Sequence, residues 1–239
     1  MDIITINNVC KNYKSKKALD NVSLNIKKGE LFGLLGVNGA GKTTLIKILC
    51  GLTKKTSGEI TINNLNLDTE MHKIKEIIDI SPQETSVANN LTVKENLEFF
   101  ANIYNNNKTD IIDDIIKTFN LSEVLNQRAK TLSGGYKRRL SVAIALISKP
   151  QILFLDEPTL GLDVFARREL WNIIKKLKKD ITIILTSHYL EEIESLCDRV
   201  AILSNGKLLT TGTIDQIKQT TKCEHFEDAF IKLVEAKNE

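Results

Sequence analysis

The run Gly36-Val37-Asn38-Gly39-Ala40-Gly41-Lys42-Thr43-Thr44 sets Gly36 and Gly41 on either side of four residues and follows them at once with lysine and threonine. Before it, Glu30-Leu31-Phe32-Gly33-Leu34-Leu35 has the continuous apolar character of a buried strand. After it, Leu45-Ile46-Lys47-Ile48-Leu49 has the character of a helix. A strand, a glycine loop and a helix in immediate succession leave little freedom in how the chain can fold. The glycines let the backbone turn tightly and bring its N–H groups onto an anion. The helix N-terminus adds the positive end of its dipole to the same place. The segment is expected to cradle phosphate groups, with Lys42 at the terminal phosphates and the Thr43 hydroxyl on Mg²⁺. A turn that binds nothing would need neither Lys42 nor Thr43.

The rest of the chain supplies strands around this loop and helices in its middle. Ile4, Ile6 and Val9, then Val22, Leu24 and Ile26, follow a strand period, and Gly58–Ile62 is a third short strand ending at Asn63-Asn64. From about Leu91 to Ile147 the pattern turns helical. Thr92 and Glu95 form a capping box ahead of Val93, Leu97, Phe100 and Ala101. Ile111, Ile112, Ile115, Ile116 and Phe119 mark a second helix after a polar loop, Asn105-Asn106-Asn107-Lys108. Gln151–Leu155 and Ile181–Leu185 return to strand, separated by a helix with Leu170, Ile173, Ile174 and Leu177 inward, as in a parallel sheet. Asn205-Gly206 joins two more strands as a hairpin. Phe226, Ala229, Phe230, Leu233 and Val234 lie along one face of a C-terminal helix.

Composition narrows the class of protein. The 239 residues suit one large α/β domain or one domain with an inserted subdomain, and 42% apolar residues suffice for a core. A net charge of +3 is weakly basic and argues neither for nor against nucleic acid, and no nucleic-acid partner is expected. Lys175-Lys176 with Lys178-Lys179, and Lys137-Arg138-Arg139, are expected to be solvated helix faces. Cys10, Cys50, Cys197 and Cys223 show no CxxC spacing and fit a reducing compartment. No signal peptide and no apolar run near the ~20 residues of a membrane span is present, so the protein is expected to be cytoplasmic and to reach a membrane only through a partner.

A second set of residues fixes the chemistry. Leu153-Phe154-Leu155-Asp156-Glu157 is an apolar strand that ends in two carboxylates, at the sheet edge where ligands sit in parallel α/β proteins. Asp156 is placed to hold Mg²⁺ through water, and Glu157 to polarise a water beside a γ-phosphate. Leu132-Ser133-Gly134-Gly135-Tyr136 precedes a helix and offers a second anion site of hydroxyl and free N–H groups. Asp163 and His188 follow in order. On this ordered set the chain resembles, over nearly its whole length, the ATP-binding subunits of ABC transporters, and Leu132–Tyr136 is similar to the family's signature.

The resemblance implies a P-loop NTPase of ABC type. Its mostly parallel core sheet and N-terminal antiparallel β subdomain would occupy about 1–82 and 149–218. An inserted helical subdomain would occupy about 83–148, and a C-terminal helix about 224–237. It implies ATP and Mg²⁺ bound by Gly36 to Thr44, with Thr43, Gln83 and Asp156 on the metal. Glu157, His188 and Gln83 would be catalytic, Tyr13 would stack on adenine, and the Asp163 loop would cross to an opposing subunit. The signature would act in trans, in a head-to-tail dimer with a second copy or a homologous ATPase. Tyr13 could also be simple packing, and a histidine after a strand is often structural. Tyr136 departs from the usual glutamine, and Val37 from a frequent proline. Membrane-spanning permease subunits would dock near Gln83 to Tyr104, placing the protein on the cytoplasmic face of the membrane.

Thr92–Leu97, Lys137–Leu140 and Phe226–Phe230 resemble ATPases paired with ABC-2-type permeases, which implies export. The short tail implies no further regulatory domain. A soluble ABC ATPase acting on ribosomes or DNA is the alternative, though the coiled-coil or zinc insertions and tandem domains of those proteins are missing. A catalytically dead scaffold is the other, against which Lys42, Asp156, Glu157 and His188 stand intact.

Overall fold

Alternating and continuous apolarity sort the strands into two sheets. In β1 (Asp2–Tyr13) and β2 (Lys16–Lys27) the buried residues Ile4, Ile6, Leu24 and Ile26 interleave with more exposed ones, so these strands bury one face. They pair antiparallel, with Ile4 opposite Ile26 and Ile6 opposite Leu24. β3 (Leu31–Leu35) is buried at every residue, as a strand covered on both faces must be. The computed structural model describes residues 1–14, 16–104, 108–178 and 180–236. They form two compact units, Met1–Lys75 with Thr182–Glu239, and Glu76–Ile181.

In the first unit β3 leads through the glycine loop into α1 (Lys42–Leu49). β4 (Ser57–Ile62) and β5 (Leu65–Asn66) complete an antiparallel sheet in the order β2-β1-β4-β5. Asn63 and Asn64 make the intervening turn at φ of +50° and +62°, and a short helix α2 (Met71–Ile74) follows.

The second unit opens with β6 (Ile78–Ser81). Helices α3 (Val93–Ile103), α4 (Lys108–Thr118) and α5 (Gly134–Ala145) lie between it and β7 (Ile152–Asp156) in sequence, and α6 (Val164–Leu177) follows. The capping box at α3 forms: Glu95 N–H donates to Thr92 Oγ1 at 3.1 Å, and Thr92 N–H donates to Glu95 Oε2 at 2.7 Å. Lys108 begins α4 rather than ending a loop, while Asn105, Asn106 and Asn107 lie outside the described residues.

The chain then returns to the first unit as β8 (Thr182–Ser187), α7 (Leu190–Leu196), β9 (Arg199–Ser204), β10 (Lys207–Gly212), α8 (Ile214–Thr221) and α9 (Phe226–Glu235). Here β3 runs parallel to both β8 and β9, and β10 is antiparallel to β9. Asn205 and Gly206 turn the hairpin at φ of +49° and +75°, as an Asn-Gly hairpin requires. The fold is thus the expected α/β one, with an N-terminal antiparallel sheet and helices inserted between parallel strands. Among the described residues no helix is long and apolar enough to cross a membrane.

One expectation from composition fails. Lys175 and Lys176 are solvated, but Arg138 and Arg139 are buried, 4% and 6% exposed. Each finds acceptors remote in sequence: Pro82 and Gln83 for Arg138, Phe119 and the Glu169 carboxylate for Arg139. Lys179 lies outside the described residues.

Candidate functional site

The phosphate loop owes its shape to two glycines. Gly41 caps α1 at φ +107°, and a Cβ there would stand 2.8 Å from the Ala18 carbonyl oxygen and from Leu19 Cδ2. A Cβ on Gly36 would meet the Leu203 carbonyl oxygen at 2.3 Å. Side chains at these positions would force the loop apart. No side-chain hydrogen bond caps α1, and a helix N-terminus is a place that suits an anion. Val37, Asn38 and Gly39 are exposed at the crest, Ala40 is buried beneath them, and Thr43 and Thr44 are half-buried. Lys42 curls back so that Nζ donates to the Gly36 carbonyl at 2.7 Å and reaches that of Val37 at 3.4 Å. The ammonium is therefore held inside the loop, where terminal phosphates would lie.

Strand register brings His188 to the same edge. β3 and β8 are parallel with Leu35 opposite Ser187, so Gly36 and His188 are the next residues of adjacent strands. The His188 ring is half-buried and lies 4.1 Å from the Tyr189 ring, tilted by 40°. The Tyr189 N–H donates to Ser187 Oγ at 2.9 Å, which closes the turn that carries the histidine. Tyr13, at the end of β1, is 43% exposed, and Lys11 Nζ stands 4.5 Å from its ring centroid. The ring is thus outside the core, with the Lys11 ammonium over one of its faces.

The second unit repeats the logic with acids. β6 and β7 are parallel with Ser81 opposite Leu155, so Pro82-Gln83 and Asp156-Glu157 leave neighbouring strands together. Asp156 is buried and the Gln83 side chain is exposed. Glu157 adopts φ +49°, a left-handed conformation that a glutamate rarely takes and that marks a position held by its surroundings.

Ser133 caps α5, accepting the Tyr136 N–H at 3.4 Å, and both Ser133 and Gly134 are exposed. A Cβ on Gly135 would stand 2.9 Å from Ala166 Cβ, so the second signature glycine is what lets α6 approach α5. Tyr136, in the place of the usual glutamine, packs its ring under the Arg139 guanidinium, 4.2 Å from its centroid. Asp163 caps α6, its Oδ1 accepting from the Phe165 N–H at 2.9 Å and the Ala166 N–H at 3.0 Å.

In the first unit Thr43 offers a hydroxyl, and in the second Asp156 and Gln83 offer a carboxylate and an amide oxygen, each a hard donor of the kind Mg²⁺ takes. Among the described residues no three or more of His, Cys, Asp and Glu gather into a metal cluster. Sequence reasoning missed Arg138 as part of this site. Burial pulls its guanidinium below the usual range, while the charge of Asp156 pushes it back up.

A family model described as ABC transporter matches residues 19–160. The linearmycin resistance ATP-binding protein LnrL of Bacillus subtilis is 39% identical over 210 residues, 86% of this chain and 68% of that one. ABC transporter A family member 7 of Dictyostelium discoideum is 44% identical over 209 residues, 86% of this chain but 25% of its own length. Other relatives are also longer proteins, of which the chain spans 10% to 42%. A solved dimeric ATP-binding cassette, in a post-hydrolysis state with ADP and Pi, superposes with a TM-score of 0.79 at 28% identity. It covers 88% of this chain and 98% of its own.

Proposed function

The chain belongs to the ABC transporter family, and we propose that it binds and hydrolyses ATP to power transport through separate membrane-spanning permease subunits, as an export ATPase on the cytoplasmic face of the membrane. The observation that carries this is the intact phosphate loop, with Lys42 Nζ already drawn 2.7 Å from the Gly36 carbonyl at the head of α1. The buried Asp156 and the constrained Glu157 at the end of β7 support hydrolysis rather than binding alone.

In this reading Gly36 to Thr44 hold the phosphates through backbone N–H groups and Lys42, while Tyr13 stacks on adenine. Thr43, Gln83 and, through water, Asp156 would hold Mg²⁺, which would supply charge that neutralises the phosphate oxygens. Glu157 orients and polarises the attacking water. His188 donates to the γ-phosphate. Such chemistry needs positioning and charge stabilisation more than covalent help. Ser133 and Gly135 meet the nucleotide of a second copy or a homologous ATPase, with the Asp163 loop crossing beside them. The exposed Ser133 and Gly134, and the dimeric state of the superposed cassette, support this arrangement.

A permease docks near Gln83 to Tyr104. The exposed apolar side chains Phe99, Ile103 and Tyr104 on and just after α3 support that surface. Export rests on the ABC-2-like segments, and the naming of the Bacillus relative for linearmycin resistance agrees with it.

Two measurements test the reading. Phosphate release by purified protein should be Mg²⁺-dependent and should fall at least about 100-fold in Glu157→Gln, a loss typical for a removed general base. Glu157→Gln should still bind ATP and persist as a closed dimer. Capture of that tagged variant from detergent-solubilised host membranes with ATP should recover a polytopic membrane protein. Recovery of ribosomal or DNA-bound partners instead would overturn transport and leave the ATPase chemistry standing. Wild-type turnover in Glu157→Gln would remove Glu157 from its role.

A further inference from the structure

Arg138 and Ser141 stand one turn apart on α5, and both reach the segment that leaves β6. Arg138 donates through its two terminal nitrogens to successive carbonyls, Nη1 to Pro82 at 2.8 Å and Nη2 to Gln83. The Ser141 hydroxyl lies 3.2 Å from that of Ser81 and accepts the Ser86 N–H at 3.3 Å. The segment from Ser81 to Ser86 is thus fastened at both ends and in its middle to the helix that Ser133 caps.

Burying a guanidinium is unfavourable unless its donors are satisfied. The planar fork of arginine gives each of two adjacent carbonyls its own nitrogen in a fixed geometry, whereas a lysine would have to serve both from one nitrogen. An arginine needed only for packing could be replaced by an apolar residue of the same length. This one spends its charge on the backbone of Gln83 itself, at the point where the chain turns to present that side chain.

We propose that Arg138 is a positioning residue that makes the Gln83 segment and the signature helix one moving body, so that a displacement at Gln83 is delivered to Ser133 and Gly135. This rests on the proposed function, in which Gln83 meets the metal and the attacking water while Ser133 and Gly135 serve a second copy. The latch gives that coupling a physical route, a hydrogen-bonded contact between two named segments of one unit. Ser141 holds the far end of the same segment, so the segment moves without hinging between its ends.

The test compares wild type, Arg138→Met and Arg138→Lys in kcat, KM and MgATP affinity. It also compares the ATP concentration that half-dimerises each of them in a Glu157→Gln background, read by light scattering. Arg138→Met should lower kcat by about tenfold or more while affinity stays within about twofold, a split that general damage to the fold would not produce. Its half-dimerising ATP concentration should rise by a similar factor. Arg138→Lys, which keeps the charge but only one donor nitrogen, should fall between the two. A wild-type kcat in Arg138→Met, or equal losses of affinity and turnover, would overturn the latch. So would an Arg138→Lys enzyme equal to wild type, because charge alone would then account for the effect. Should Arg138→Met fail to fold, Arg138→Lys decides: reduced kcat at unchanged affinity upholds the latch and unchanged kcat overturns it. A wild-type protein that neither binds nor hydrolyses ATP would instead overturn the functional reading beneath it.

Discussion

Gly206 donates its N–H to the carbonyl of Ala40 at 3.1 Å, so the tip of the β9–β10 hairpin braces the phosphate loop from behind. The same glycine accepts the Asp20 N–H at 2.8 Å, which ties the tip to β2 as well. A Cβ on Gly206 would stand 2.7 Å from the Ala18 carbonyl oxygen, at a φ of +75° that disfavours any side chain.

Gly206→Ala is therefore expected to lower stability by about 1–3 kcal/mol and to loosen the loop it braces. Thermal unfolding should show the first effect. Titration calorimetry should show the second as MgATP affinity weakened by about tenfold, the equivalent of ~1.4 kcal/mol. Unaltered affinity would mean that the brace serves folding only.

Lys42→Ala removes a charge that the loop already holds against the Gly36 carbonyl. Hydrogen bonds between charged groups contribute about 1.5–3 kcal/mol, which corresponds to a loss of ATP affinity of about 10–100-fold. Because α1 keeps its buried Leu45, Ile46, Ile48 and Leu49, the melting temperature should change little. An unchanged dissociation constant by calorimetry would sink the phosphate-binding role.

What the sequence made legible was local. Gly36 to Thr44 announces a loop because the spacing of glycines, lysine and threonine has one physical use. Asn205-Gly206 announces a hairpin, and Thr92 with Glu95 a helix start, because the signal and the structure lie within a few residues. β6 was harder to see: it has four residues, and its Asp79 interrupts the apolar pattern. α8 carries a sign that is readable in the sequence, the capping box of Thr213 with Gln216. The burial of Arg138 and Arg139 left no local trace, because their acceptors lie at Pro82, Gln83, Phe119 and Glu169. A basic run reads as solvated until the fold supplies partners that sequence distance conceals.

Asp79 gives the second unit a pH dependence of definite sign. Burial raises its pKa, although the Ile80 N–H, Ser148 Oγ and Tyr104 OH all donate to it and oppose the rise. Tyr104, pushed up to about 12 by burial first and by the Asp79 charge, stays protonated as a donor. A carboxyl whose folded pKa exceeds its unfolded value of about 3.9 contributes stability that is full below the unfolded value and lost as pH rises through the folded one. Asp79→Asn removes that loss while keeping an oxygen that accepts from Ser148. The melting temperature of the variant relative to wild type should therefore climb from pH 4 towards neutrality. A difference that is flat or falls over that range would show that burial does not control this carboxyl.

Gly135 lies against Ala166, where an added Cβ would come within 2.9 Å of the alanine's own. Real Cβ atoms do not approach so closely, so Gly135→Ala must push α5 from α6 or shift the capped turn at Asp163. Such overpacking costs about 1–3 kcal/mol. It also displaces the backbone N–H groups that the signature would offer to a second copy. Gly135→Ala should keep MgATP affinity within about twofold and lower turnover by about tenfold or more, as loss of a transition-state contact alone would do. Ala166→Gly alone should be nearly silent in turnover and should restore much of the rate when combined with Gly135→Ala. Non-additivity of this kind is expected of residues in direct contact. If the double variant is no faster than Gly135→Ala, the glycine is needed for the nucleotide it faces rather than for the close approach of α6, and steric relief is the wrong account.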